Sequence, residues 1–239
     1  MFSVNPSVGW VANGFGKVYR TTDSGETWDE IASEGVFLRS IGFANEQKGW
    51  VGTFNASSVL LETNDGGVTW IDVSDRISGP AITGVCGLSV VNEDLVFGVG
   101  KFDGPAIFLK TVDGGASWQS TDLSVYGINT LIDVHFFDEN RGVITGGTKA
   151  DFTGQAIVAE TIDGGDTGQV RHTSNLAANV GGEWGWKISF PTETTGYISV
   201  EYPFSNTTGN EAKVLKTTDG GISWSEIFVA GSTEPAGLQ

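Results

Sequence analysis

Five aspartates recur in one chemical setting, each with a hydroxyl residue two positions before it and another four positions after. They are Asp23, Asp65, Asp113, Asp163 and Asp219, in the phrase Thr-x-Asp-x-Gly-x-Ser/Thr. A carboxylate between two hydroxyls could coordinate a cation or relay a proton. The glycine two residues on points elsewhere, because it supplies positive φ to a tight turn. In such a turn the aspartate accepts hydrogen bonds from the turn's own amides. These five carboxylates are therefore expected to be structural. Asp103, Asp151 and Glu211 lie in polar segments and could supply a carboxylate pair for glycoside hydrolysis, although solvated loop acids are common. His135 and His172 stand 37 residues apart with no cysteine or histidine beside them, and Cys86 is the one thiol, in an apolar run. No metal centre, nucleophile–histidine pair or cofactor is expected from these residues, and Cys86 is read as inert core.

Short apolar runs precede the aspartates: Val18-Tyr19, Val59-Leu60-Leu61, Ile107-Phe108-Leu109, Ile157-Val158-Ala159 and Val214-Leu215. Such runs between glycine-rich turns read as strands. Trp28, Trp70, Trp118 and Trp224 follow the phrase and open the returning strand, while the fourth copy has Gly168 there. A buried tryptophan removes roughly 150–250 Å² from water, an upper bound of about 4–6 kcal/mol. The phrase is thus a hairpin clasp.

This clasp resembles the Asp-box, or BNR, repeat of β-propellers, which lies between the third and fourth strands of a blade. The longer unit is similar to the photosystem II stability/assembly factor-like family, whose blades open with an apolar strand, an Asn or Asp, and then Gly-Trp. Here Ile41-Gly42-Phe43-Ala44-Asn45 leads to Gly49-Trp50, Val134-His135-Phe136-Phe137-Asp138 to Gly142-Val143, and Ile188-Ser189-Phe190 to Gly196-Tyr197, with Gly9-Trp10 as the N-terminal version. The resemblance implies an all-β fold, a single β-propeller domain over residues 1–239. The box aspartates lie 42, 48, 50 and 56 residues apart, and joining the chain ends gives a fifth interval of 43. Five four-stranded blades are expected, the ring closed by the N- and C-termini meeting in one blade. The alternative is an excised portion of a six- or seven-bladed ring.

The net charge of −16 and only thirteen lysines and arginines argue against nucleic acid and anionic membranes as partners. No apolar run is long enough for membrane insertion as a helix, and the N-terminus lacks the basic and apolar regions of a signal peptide. A cytoplasmic or virion-associated location is expected if Met1 is native. The sequons at Asn55 and Asn206 matter only in a glycosylating pathway. Sialidases share the Asp-box, but need an arginine cluster. Arg20 and Arg141 are placed by the box turns, Arg171 on an outer strand, and only Arg39 and Arg76 toward the opposite face.

In propellers, ligands usually bind the face opposite the boxes, where the loops between second and third strands lie. Each such loop here carries a phenylalanine: Phe15, Phe54, Phe102, Phe152 and Phe204. Polar neighbours include Asn55, Asp103, Asp151 and Asn206. The rings either seal their blades or surround the pore as aromatic contacts for a sugar or a protein segment. Trp184, Trp186 and Tyr202 join the candidates, the tryptophans either filling the gap at Gly168 or standing at the rim. The loops lengthen toward blades four and five, which marks those blades as the contact region. The sequence reads as a non-catalytic scaffold binding a protein partner through this face. A lectin or host-surface adhesin, as part of a virion, is the alternative, followed by a glycoside hydrolase. Oligomeric state is left open.

Overall fold

The computed structural model describes residues 1–101, 103–151, 153–176, 181–202 and 212–229. Two compact units divide the chain, Met1–Lys101 with Ile107–Thr121 and Phe102–Ala106 with Asp122–Gln239. In the first unit, β1 (Phe2–Ser3), β2 (Gly9–Ala12), β3 (Lys17–Thr21) and β4 (Asp29–Ser33) form an antiparallel sheet in chain order. The second sheet comprises β5 (Leu38–Phe43), β6 (Gly49–Thr53), β7 (Leu60–Thr63) and β8 (Ile71–Asp72). Short β9 (Ile77–Ser78) adds parallel to the last strand of a third sheet, β10 (Gly87–Val90), β11 (Val96–Gly100), β12 (Ile107–Thr111) and β13 (Trp118–Asp122). The second unit holds β14 (Thr130–Phe136), β15 (Gly142–Gly147), β16 (Ala156–Thr161) and β17 (Gln169–Thr173), then β18 (Trp184–Ser189), β19 (Gly196–Glu201), β20 (Ala212–Thr217) and β21 (Ser225–Val229). Each expected box turn joins the third and fourth strands of its sheet.

Burial explains the sequence of the middle strands. β6 and β7 are buried at every residue, whereas β8 is exposed. A strand covered on both faces must be apolar or small throughout rather than alternating. Gly52 shows why small residues are needed: a Cβ there would lie 2.4 Å from the Val85 carbonyl oxygen. One cluster in the first unit joins Trp10, Val18, Leu38, Ile41, Phe43, Val51 and Leu61. Its centre is a parallel stack of Trp10 on Phe43, with centroids 3.7 Å apart. Another unites Trp50, Leu60, Val96, Ile107, Leu109 and Trp118. In the second unit, Val143, Val158, Ile198, Leu215 and Trp224 pack together. Buried Cys86 lies one residue before β10. Among the described residues, no helix is long and apolar enough to cross a membrane.

Four of the turns between first and second strands follow one local rule. Asn45 Oδ1 accepts from the amides of Gln47 and Lys48, both at 2.8 Å, and Asn5, Asn92 and Asp138 accept equivalent pairs. These Asx turns set where the second strand opens, with Gly-Trp or Gly-Val at three of the four and Leu95-Val96 after Asn92.

Candidate functional site

Each box aspartate is saturated by its own hairpin. At Asp65, the Thr63 hydroxyl donates at 2.8 Å, the Thr69 amide at 2.9 Å and the Thr69 hydroxyl at 2.6 Å. Thr63 Oγ1 in turn accepts from the Gly67 amide at 3.0 Å. The same arrangement recurs at Asp23, Asp113, Asp163 and Asp219. The donating hydroxyl of the following Ser or Thr, then its amide, holds all five carboxyls down at about 2. These carboxylates clamp the turn and have few lone pairs left for a ligand. Two consecutive residues take positive φ, as at Gly66 (79°) and Gly67 (94°), and Ser24 (66°) fills the first of these positions in the first box.

The boxes also receive groups from the preceding sheet. Trp10 Nε1 donates to the Gly66 carbonyl at 2.9 Å, with Arg20 stacked on the same indole. Arg76 donates to the Gly115 carbonyl at 3.0 Å, while Trp50 Nε1 and Arg76 share the buried Glu62 carboxylate. In the second unit, Arg141 donates to the Gly220 carbonyl at 2.6 Å. Arg76 therefore lies at a box turn, not toward the opposite face as expected. The reason is the nearby Glu62, whose buried charge draws the guanidinium in. Arg171 is on an outer strand as expected, paired with Glu160 at 2.8 Å.

The box tryptophans do not all bury. Trp118 is 2% exposed and Trp224 8%, but Trp70 is half-buried and Trp28 is 37% exposed. Trp118 meets Trp50 edge-on; Trp28 borders a shallow pocket of about 140 Å³ lined by Phe2, Val8, Thr21 and Gly25. A Cβ at Gly168 would meet only the Glu160 carbonyl, at 3.9 Å. Trp184 pairs with Glu201 at the end of its sheet away from the box.

The loops at that opposite end hold the other candidates. Phe15 is 85% exposed at the tip of the β2–β3 loop. Phe54 is half-buried and stacks parallel on Phe37, centroids 5.3 Å apart. Asn55 closes its own turn by accepting from the Ser57 amide. Asp103 is exposed in the β11–β12 loop. At Asp151 the Thr153 hydroxyl and amide donate to the carboxylate, which lowers its pKa. The two loops are neighbours, a Cβ on Gly104 lying 3.4 Å from Ala150. Trp184, Trp186 and Tyr202 are each half-buried, Tyr202 against the apolar cluster of the second unit. Phe102, Phe152, Phe204, Asn206 and Glu211 lie outside the described residues.

Two features escaped the sequence reading. Phe37, in the segment between β4 and β5, is the partner of Phe54 and belongs to no repeated phrase. Lys213 is fully buried, its ammonium 2.9 Å from Glu183, 2.9 Å from Glu226 and 2.8 Å from the Asn175 carbonyl. His172 stands 3.3 Å from the same Glu226. The signal was register: Lys213, Leu215 and Thr217 share one buried face of β20. Among the described residues, no group of three His, Cys, Asp or Glu side chains is placed to hold a metal ion.

Four-stranded sheets with saturated Asp-box clasps define a β-propeller of the BNR type. The chain resembles the photosystem II assembly factors of the YCF48 kind: a family model described as photosynthesis system II assembly factor YCF48 matches residues 30–126. A solved structure of YCF48 bound to D1 peptide is 14% identical with a TM-score of 0.54, covering 94% of this chain and 80% of that one. YCF48 from Cyanidioschyzon merolae is 18% identical with a TM-score of 0.56, over 95% of this chain and 61% of that one. An ancestral GH74 enzyme superposes with a TM-score of 0.66 at 18% identity, over 94% of this chain but only 30% of its own. At these identities the likeness is one of fold. No curated protein matches the sequence.

Proposed function

We propose that this chain is a non-catalytic binding propeller that engages a protein partner through the loop face opposite the boxes. The observation that carries this reading is the exposure of Phe15 and Phe37 on that face. A large apolar ring in water, beside further aromatic surface, marks a contact site more often than a solvated loop does. The box aspartates offer a ligand little, because all five are consumed by their own turns. The match to an assembly-factor family over residues 30–126 adds weight to a protein ligand. The Thr153 donors favour the ionised form of Asp151, which disfavours it as a general acid and leaves it suited to the nucleophile or base role of a carboxylate pair.

A carbohydrate ligand is the second reading, favoured by the same exposed rings, which could stack on a sugar. A peptide array and a glycan array, each probed with the native chain and with Phe15→Ser, separate the two. Binding to peptides that weakens in the variant supports the proposal. Binding confined to glycans overturns it, and release of reducing ends from a bound glycan would restore the hydrolase.

A further inference from the structure

Phe37 and Phe54, two loop rings of the first unit, stack into a short strip beside the loop that carries Phe15. Gly14 lies against the Phe37 ring, where a Cβ would come within 2.6 Å of it. Phe37 stacks on Phe54, and the Phe54 ring edge in turn reaches Gly84, beside the stem of Lys101. Phe15 stands clear of the strip's first end, 85% exposed, and Phe37 is 49% exposed. The segment carrying Phe37 is tied to the Phe15 loop by the Glu34 amide, which donates to the Gly16 carbonyl at 2.8 Å. Glu34 itself has no ion-pair partner among the described residues, and partial burial raises its pKa. Lys17, the cation of the same loop, is already neutralised by Glu30 at 2.7 Å.

A second copy of the chain is a poor occupant for this strip, since each copy carries a net charge of −16 and the two would repel. A cationic partner gains from the same field and can settle a charge on Glu34. Building on the reading of the loop face as a protein-binding surface, we propose that the strip docks a basic segment of a protein partner. An apolar side chain of that segment lies across Phe15 and Phe37, and a lysine or arginine beside it faces Glu34, away from Lys101.

Short fluorescein-labelled synthetic peptides test this by anisotropy. One carries alternating Lys and Phe between glycine spacers, a second has Glu for Lys, and a third has Ser for Phe. The Lys/Phe peptide is expected to bind most tightly, and Phe15→Ser and Phe37→Ser each to weaken it by about five- to tenfold. Glu34→Gln should weaken it by about threefold, and Glu26→Gln, an equal charge change at a box turn, by much less. Matched thermal melts establish that the variants are folded. Equal binding of the Glu/Phe peptide would overturn the basic partner while leaving a protein-binding face intact. Peptide binding unchanged by either phenylalanine variant would overturn the strip as the site. Binding to glycans alone, lost in Phe15→Ser, would overturn the protein reading and this inference together.

Discussion

At Asp113 the Ser117 hydroxyl, the Ser117 amide and the Thr111 hydroxyl all donate to one carboxylate, at 2.6, 2.9 and 2.8 Å. A carboxyl so placed favours its ionised form, with a pKa of about 2 in the fold against an ordinary value of 3.8. Because the folded value is depressed, the stabilisation is complete above the unfolded pKa and fades as pH falls through the folded one. All five boxes share this sign. The melting temperature should therefore hold level down to about pH 4.5 and fall steeply between about pH 4 and 2. Asp113→Asn should melt lower at neutral pH, but its deficit should shrink through the same window. Circular-dichroism melts across pH provide the measurement. Parallel curves for the two proteins would mean that the carboxylate charge at Asp113 is not what the turn recognises.

A hairpin's worth depends on what the preceding sheet brings to it. Trp118 closes against Trp50, while Trp28 keeps 37% of its surface in water. Trp118→Ala should cost about 3–5 kcal/mol, and Trp28→Ala less than about 1.5 kcal/mol; urea unfolding of the two variants measures the difference. Equal losses would mean that tryptophan acts within its own turn and not across sheets. This contrast explains what could be read in advance. The clasp was legible because its donors and acceptor lie within seven residues, so local chemistry fixes it. The fate of each tryptophan was not, since Trp28 and Trp118 follow the same phrase and differ only in their neighbours. The loop phenylalanines divide in the same way: Phe15 is bare, whereas Phe54 finds Phe37, which no repeat announces. Arg76 was misplaced because its partners, Glu62 on β7 and the Gly115 carbonyl in the next box turn, are distant in sequence. Lys213 hid in plain alternation, a cation on the buried face it shares with Leu215 and Thr217.

Across the whole molecule, charge is distributed by two opposing logics. Buried Lys213 is matched by Glu183 and Glu226, while the chain as a whole carries a net charge of −16. Salt acts on these differently. At about 0.1 M the screening length is roughly 10 Å, which weakens repulsion among solvent-exposed acids but scarcely reaches a pair sealed from water. Exposed pairs such as Lys17–Glu30 would weaken, because both partners lie in screened solvent. With so few cations, the relief of self-repulsion should exceed those losses. Raising sodium chloride from about 20 to about 200 mM should therefore raise the melting temperature by a few degrees. The same addition should weaken the basic peptide on the Phe15–Phe37 strip, because its attraction runs through the field that salt removes. Scanning calorimetry and peptide anisotropy over one salt series test both signs together. A falling melting temperature would mean that local ion pairs outweigh the net charge. Peptide binding that ignored salt would leave the strip apolar in its recognition and take the argument for a cationic partner with it.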